Sequence, residues 1–175
     1  VDSLDVLRGA IRDVPDFPKP GVVFKDITPI LGDPALFRIA IQHFVQQCAG
    51  KQITRVAGID ARGFLFGATV AHELGVGFVP VRKKGKLPYE TVSHAYALEY
   101  GEAEIEIHTD SFSEGERVAL IDDLLATGGT ARAAINLIEG VGAKVVQAQF
   151  LIELGFLGGR SLLAPTPVLS LLSFD

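Results

Sequence analysis

The chain reads as an α/β domain with a mainly parallel, twisted sheet flanked by helices, and three observations predict it. Apolar runs of strand length alternate with segments of helical periodicity, the order that βα units produce. The run Val118–Ile121 (VALI) is wholly apolar, as a strand buried on both faces requires. It leads through two adjacent carboxylates, Asp122 and Asp123, and a small-residue loop, Ala126–Thr130, into a helical pattern. Ligands of such sheets bind beyond the carboxyl ends of the strands. At 175 residues the chain is expected to form one domain over 1–175 with a full core.

Leu4, Leu7 and Ile11 suggest a short first helix, and Pro15, Pro18 and Pro20 then break regular structure. Gly21–Leu31 reads as an extended, partly apolar segment. Asp33 before Pro34 is an N-cap with a first-turn proline. Behind it Leu36, Phe37, Ala40, Ile41, Phe44, Val45 and Cys48 recur at helical spacing. Arg55–Ile59 is a strand, 60–63 a loop, Phe64–Leu74 a helix and Gly77–Val81 another strand. Tyr96, Leu98 and Tyr100 alternate, as do Ala103, Ile105 and Ile107, so a hairpin is expected across Gly101-Glu102. The strand at 118–121 follows. Its helix carries Ala134, Ile138 and Val141 on one face and has Gly140 and Gly142 near its end. Further strands are expected around Val145–Ile152 and Val168–Phe174. The loops at 60–63, 82–95 and 122–130 should share one rim.

Composition narrows the function classes. A net charge of −5 and a pI near 5.4 argue against nonspecific nucleic-acid binding. Any anion site must be a local basic patch. The single Cys48 excludes an internal disulfide and suits a reducing, cytoplasmic compartment. It lies on an apolar helix face and reads as core. No run reaches the length of a membrane span, and no signal peptide is visible. The chain begins at Val1, so an initiator methionine at least is expected to precede it. His43, His72, His94 and His108 show no metal-ligand spacing.

Strand, acid pair, Gly-Thr loop and helix start together make a site for a sugar phosphate. Glycines let the backbone approach an anion, and a helix N-terminus offers free N–H groups and a favourable dipole. No Lys follows the glycines, so this is not a Walker loop, and the G-x-G-x-x-G spacing is absent. The bland alternative is a tight turn with two solvated aspartates. Upstream, Arg82, Lys83, Lys84 and Lys86 place four cations in five residues, a local anion patch or simply a solvated basic loop. Gly85 and Pro88 suggest a mobile lid over 82–95, whose closure would exclude water.

VALIDDLLATGGT (Val118–Thr130) resembles the diphosphoribosyl-binding motif of the type I phosphoribosyltransferases. Four more segments are similar to the adenine phosphoribosyltransferase family: FPKPGVVFKDITPIL (Phe17–Leu31), ARGFLFG (Ala61–Gly67), RKKGKLP (Arg82–Pro88) and LEYG (Leu98–Gly101). With VALIDDLLATGGT they occur in the family's order and spacing, and the resemblance covers nearly the whole chain. The resemblance implies the type I fold with a small N-terminal hood over 1–34 and a flexible lid hairpin. It implies the joining of adenine to 5-phosphoribosyl 1-pyrophosphate, giving AMP and pyrophosphate, with Mg²⁺ and no nucleic-acid or membrane partner. It also implies a homodimer, with the glycine-rich Gly155–Arg160 segment guessed near its interface.

The site residues follow from the same resemblance. Ala126, Thr127, Gly128, Gly129 and Thr130 would hold the 5′-phosphate. Asp122 and Asp123 would bind the ribose hydroxyls, directly or through the metal, and favour the ribosyl cation. Arg62 would hold pyrophosphate, helped by Ala61 in a loop that carries a cis peptide in related enzymes. Some relatives have Ser where this chain has Ala61, so only the backbone can act there. Arg82, Lys83 and Lys86 are expected to contribute to pyrophosphate binding. Val23, Phe24 and Lys25 would form the adenine hood and Leu124 would pack on the base. Glu99 is either the group that manages a proton on the imidazole side of adenine or a solvent-facing strand residue. Two other readings stay open: transfer to another base, such as a 6-oxopurine or orotate, and a nucleotide-sensing regulator that has lost catalysis. Against the regulator stand Arg62, the basic lid and the lack of a visible helix-turn-helix segment.

Overall fold

The computed structural model describes residues 2–98 and 100–175. The chain divides into two compact units, Val1–His43 and Phe44–Asp175.

In the first unit, helix α1 (Ser3–Ala10) is capped by Asp2, whose carboxylate accepts the Leu4 N–H at 3.2 Å, and it buries Leu7. Strands β1 (Arg12–Pro15) and β2 (Val23–Asp26) form an antiparallel hairpin in the register Asp13↔Lys25 and Val14↔Phe24. A strand before the prolines was not expected. Pro15 is tolerated because it ends a strand of a two-stranded ribbon. The expected extended segment to Leu31 is also shorter. Asp26 accepts the Thr28 N–H and hydroxyl, both at 2.9 Å, and with Pro29 in the first turn this starts helix α2 (Thr28–Gly32). Helix α3 (Pro34–Gln47) begins as expected, with Asp33 accepting the Ala35 and Leu36 N–H groups at 2.8 and 3.0 Å.

The second unit holds a seven-stranded sheet in the order β5-β6-β4-β3-β7-β8-β9. The strands are β3 (Arg55–Ile59), β4 (Gly77–Lys83), β5 (Thr91–Ala97), β6 (Glu102–His108), β7 (Arg117–Leu125), β8 (Lys144–Leu154) and β9 (Val168–Phe174). Strands β4, β3, β7, β8 and β9 run parallel, and the β5–β6 hairpin joins antiparallel to β4. Side chains alternate between the faces. Ala57, Ile59, Val118, Leu120, Ala148 and Phe150 join the core under helix α5 (Gly129–Gly140), which supplies Ala134, Ile135 and Ile138. Helix α4 (Arg62–Leu74) packs against β3 and β7 and buries Phe66, whose ring lies 5.6 Å from that of Phe44.

Cys48 is core, as read. It is buried beside the side-chain amides of Gln147 and Gln149, and burial raises its thiol pKa. The segment 82–95, read as one loop, is strand at both ends; only 84–90 connects β4 to β5. After β8 the chain makes a 3₁₀ turn (Gly155–Leu157) and a one-turn helix α6 (Gly159–Leu162).

Candidate active site

Because β3, β4 and β7 are parallel, their carboxyl ends deliver three loops to one rim, as the α/β pattern predicts. A cleft of about 360 Å³ opens there. Its walls bring together Ala61, Arg62, Lys83, Asp122, Asp123, Leu124 and Thr130, with Asp60 and Tyr96 beside them. A smaller hollow of about 100 Å³ adjoins it, lined by Thr127, Gly128, Gly129 and Thr130 with Ala126 and Asp122.

The acid pair sits inside β7, because that strand extends past the expected end at Ile121. Pairing with β3 stops at Gly58↔Ile121, whereas pairing with β8 continues to Leu125↔Glu153. Asp122 and Asp123 therefore lie on a stretch supported from one side and open on the other. Asp122 Oδ1 accepts the Asp123 N–H at 2.8 Å. The buried Asp123 carboxylate forms an ion pair with Arg62 Nε. Burial pushes the Asp122 carboxyl well above the usual carboxylate range; the Asp123 charge adds to this and the Arg62 cation opposes it. Helix α4 approaches so closely that only glycine fits at Gly63: a Cβ there would lie 2.9 Å from the Ile121 carbonyl and 3.0 Å from Asp122 Oδ1.

Two basic elements flank the pair. The Asp60–Ala61 peptide is cis, the geometry the resemblance implied, and α4 begins at the next residue, Arg62. Arg82 pairs with Asp60, Nε to Oδ2 at 3.2 Å, and its guanidinium lies 5.9 Å from the Phe64 ring centre. It thus ties the β4 end to the β3 loop. Lys84 pairs with Glu104 at 2.8 Å, whereas Lys83 and Lys86 have no ion-pair partner among the described residues. Glu104 also accepts from Ser93 at 2.5 Å, and the Lys84 hydrogen bond holds its carboxyl below the usual range.

On the far side of the acid pair the chain turns through Ala126 and Thr127 into α5. Gly128 has φ +88°, a left-handed conformation that suits glycine. The start of α5 presents N–H groups that have no helical acceptor. Thr130 Oγ1 donates to Tyr96 Oη at 2.9 Å. Behind the turn stands Gly159: a Cβ there would meet the Ala126 carbonyl at 2.4 Å, and one on Gly128 would meet the Gly159 carbonyl at 2.8 Å. Arg160 is anchored to Glu153 at 3.0 and 2.5 Å and to the Val168 carbonyl at 2.6 Å. The Arg160 hydrogen bonds lower the Glu153 pKa.

Within the first unit, Val23 is half-exposed, Phe24 stacks edge-on with Phe17 at 5.2 Å, and Lys25 pairs with Asp13 at 2.7 Å. Glu99 lies outside the described residues. Sequence reasoning missed Asp60, Tyr96 and Gly159. Asp60 and Tyr96 carry no motif of their own. For Gly159 the Gly158-Gly159 pair is the sequence signal, since adjacent glycines mark a place where backbones pack closely.

Comparisons with known proteins point to one family. The family model for the phosphoribosyl transferase domain matches residues 32–155. An adenine phosphoribosyltransferase of Methylobacterium sp. (strain 4-46) is 57% identical over 175 residues, covering 99% of this chain and 97% of that protein. The crystal structure of adenine phosphoribosyltransferase from Thermoanaerobacter pseudethanolicus superposes with a TM-score of 0.95 at 50% identity, covering 98% of this chain and 99% of the other. The Saccharomyces cerevisiae enzyme, solved with an imino-altritol bisphosphate and adenine, gives a TM-score of 0.93 at 42% identity, covering 97% and 98% of the two chains.

Proposed function

The chain belongs to the adenine phosphoribosyltransferase family, and from that premise we propose how its residues divide the work. The reaction joins adenine to 5-phosphoribosyl 1-pyrophosphate and yields AMP and pyrophosphate. The bond from the anomeric carbon to a pyrophosphate oxygen breaks. A bond from that carbon to N9 of adenine forms, and N9 loses its proton. Positive charge develops on the ribose and negative charge on the leaving group, so fixed electrostatics must meet both.

The observation that carries the division is the position of the acid pair. Asp122 and Asp123 lie in one cleft with the Arg62 loop and Lys83 and with Thr130 of the glycine turn. Ala126–Thr130 would bind the 5′-phosphate through N–H groups and hydroxyls. Asp122 and Asp123 would take the ribose hydroxyls and favour the cation. Arg62, the Ala61 backbone, Lys83 and Lys86 would hold pyrophosphate. The pairing of Arg82 with Asp60 supports a bracing part for Arg82 beside its expected contact with the anion. Leu124 would pack on the base, and Val23–Lys25 would present backbone groups to its N1 and C6 amino edge. Glu99 is assigned to the proton on the imidazole side by resemblance alone.

Mg²⁺ fits this donor set. Among the described residues no three His, Cys, Asp or Glu side chains converge on one point. Mg²⁺ keeps several waters and accepts one or two carboxylates plus substrate oxygens. Asp122 or Asp123 would supply the protein's share, and the bound ion would neutralise charge on the pyrophosphate. No helix among the described residues is long and apolar enough to cross a membrane, and cytoplasmic residence is our inference from cysteine usage. A homodimer is proposed too, supported by exposed Phe156, Leu157 and Leu162 on the 155–162 segment; sedimentation of the purified chain tests it.

Competition between adenine, hypoxanthine, guanine and orotate for the activated ribose, read as pyrophosphate release, tests the function. Hypoxanthine and guanine carry a carbonyl at C6 and N–H at N1. Against a hood built for adenine this makes two like-with-like contacts, each costing about 1–3 kcal/mol. Adenine should be favoured by at least about 100-fold in kcat/KM. Lys25→Ala should keep the preference and Phe24→Pro should damage it. Efficient use of hypoxanthine or orotate would refute the adenine hood.

A further inference from the structure

Strand β6 buries a carboxylate that the chemistry above does not use. Glu106 is 3% exposed and sits opposite Arg82 in the β4–β6 register. No cation pairs with it among the described residues. Its Oε1 instead accepts two backbone N–H groups, from Gly85 and Leu87, each at 3.1 Å. A buried carboxylate is stable when N–H donors compensate its charge, and here both donors belong to the basic turn. Gly85, at φ +84°, permits the bend that aims the two amides at one oxygen.

The turn also sorts its cations. Arg82 is committed to Asp60 and Lys84 to Glu104. Lys83 lines the cleft, and the Lys86 N–H closes the turn on the Lys83 carbonyl at 3.3 Å. Glu106 therefore fixes the backbone around the two lysines that have no ion-pair partner.

We propose that Glu106 is a positioning residue for pyrophosphate: it clamps the Gly85–Leu87 backbone so that Lys83 and Lys86 are presented to the anion as a preformed pair. The inference rests on the reading of Lys83 and Lys86 given above. Glu106 does not touch the anion, which it would repel. It removes the ordering cost that a loose lysine loop would bear on binding.

The test uses the full chain and calorimetric titration with Mg²⁺-pyrophosphate and with AMP, beside forward kinetics. Glu106→Ala should weaken pyrophosphate by about tenfold or more, as loss of preorganised positioning does. AMP should stay within about twofold, because AMP has no group at the turn. The KM for the activated ribose should rise while that for adenine holds. Glu106→Gln keeps a carbonyl acceptor and should restore most of the affinity. Unchanged pyrophosphate binding in Glu106→Ala, or parallel losses for AMP and pyrophosphate, would overturn the proposal. Should the alanine variant fail to fold, Glu106→Asp takes its place: one methylene shorter, it cannot reach both amides, and affinity equal to that of Glu106→Gln overturns the idea. The double variant Lys83→Ala with Lys86→Ala separates the two inferences. Normal pyrophosphate affinity there sinks the reading of the turn, and the Glu106 proposal with it. A loss there with none in Glu106→Ala sinks the Glu106 proposal alone.

Discussion

Asp122 carries opposite demands from folding and from chemistry. Its carboxyl is raised well above the usual range by burial and by Asp123, so the folded chain holds that proton more tightly than the unfolded chain does. The sign follows from linkage. The stability contributed by this proton is fully present below the unfolded value of about 3.9 and is lost as pH rises through the raised folded value. Asp122→Asn removes the dependence. Its Tm relative to wild type should climb with pH across that window and level off above it. A constant difference in Tm at all pH values would contradict the assignment. Turnover should move the other way. Asp122→Asn with Asp123→Asn should lose at least about 100-fold in kcat, the scale of one strong electrostatic group, and near-normal turnover would remove the pair from the chemistry. The pair was legible in the sequence because adjacency is local. The Arg62–Asp123 ion pair was not, because only the fold joins residues 61 positions apart.

At the scale of elements, the glycine turn depends on a wall that comes from elsewhere in the chain. Gly159 leaves no room for a Cβ against the Ala126 carbonyl, and Arg160 pins the short α6 to Glu153 on β8 and to the β9 start. Gly159→Ala must push the turn forward. It should weaken AMP and the activated ribose, which both carry a 5′-phosphate, by about tenfold or more, while pyrophosphate alone binds normally. Arg160→Ala should do the same more mildly. Calorimetry with AMP and with pyrophosphate separates the outcomes, and equal losses would mean general unfolding. The reading of elements from sequence succeeded where periodicity was long. The boundaries of β3 and the start of α3 agree, and the expected hairpin forms, although β5 ends at Ala97 and Glu102 already belongs to β6, paired with Ala97, rather than to the turn. It failed at β1 and α2, where three prolines masked a hairpin and the hydrogen bonds from Thr28 to Asp26 helped turn the chain into a helix within 21–31. It also stopped β7 too early, since acidic residues ended the apolar run while pairing with β8 continued.

For the whole molecule, the net charge of −5 opposes the approach of an anionic substrate, and on the proposed reading Lys83 and Lys86 would offset it locally. Screening weakens attraction between exposed charges. Raising the salt should therefore increase the KM for the activated ribose while leaving that for neutral adenine nearly constant. Steady-state kinetics from about 0.05 to 0.5 M salt, a range over which the Debye length falls severalfold, check this; parallel changes in both constants would argue against a local basic site. The α/β class and the shared rim were legible at this scale because alternation of elements is a global pattern. The sheet order was not, since β6 beside β4 follows from pairing that no local run encodes.

The hydroxyl pair Thr130–Tyr96 links these scales. In the free chain Thr130 spends its proton on Tyr96. Were that proton to turn to a phosphate oxygen, as the proposed 5′-phosphate site requires, the Thr130 oxygen would be left as an acceptor and the Tyr96 proton could swing toward it. The bond then survives with its direction reversed, and a chain of hydroxyls ending on an anion strengthens cooperatively. Tyr96 lies on β5, in the same hairpin whose other strand carries Glu106. On the proposed reading, occupancy of the phosphate site would be recorded in the orientation of two protons, with the heavy atoms scarcely displaced.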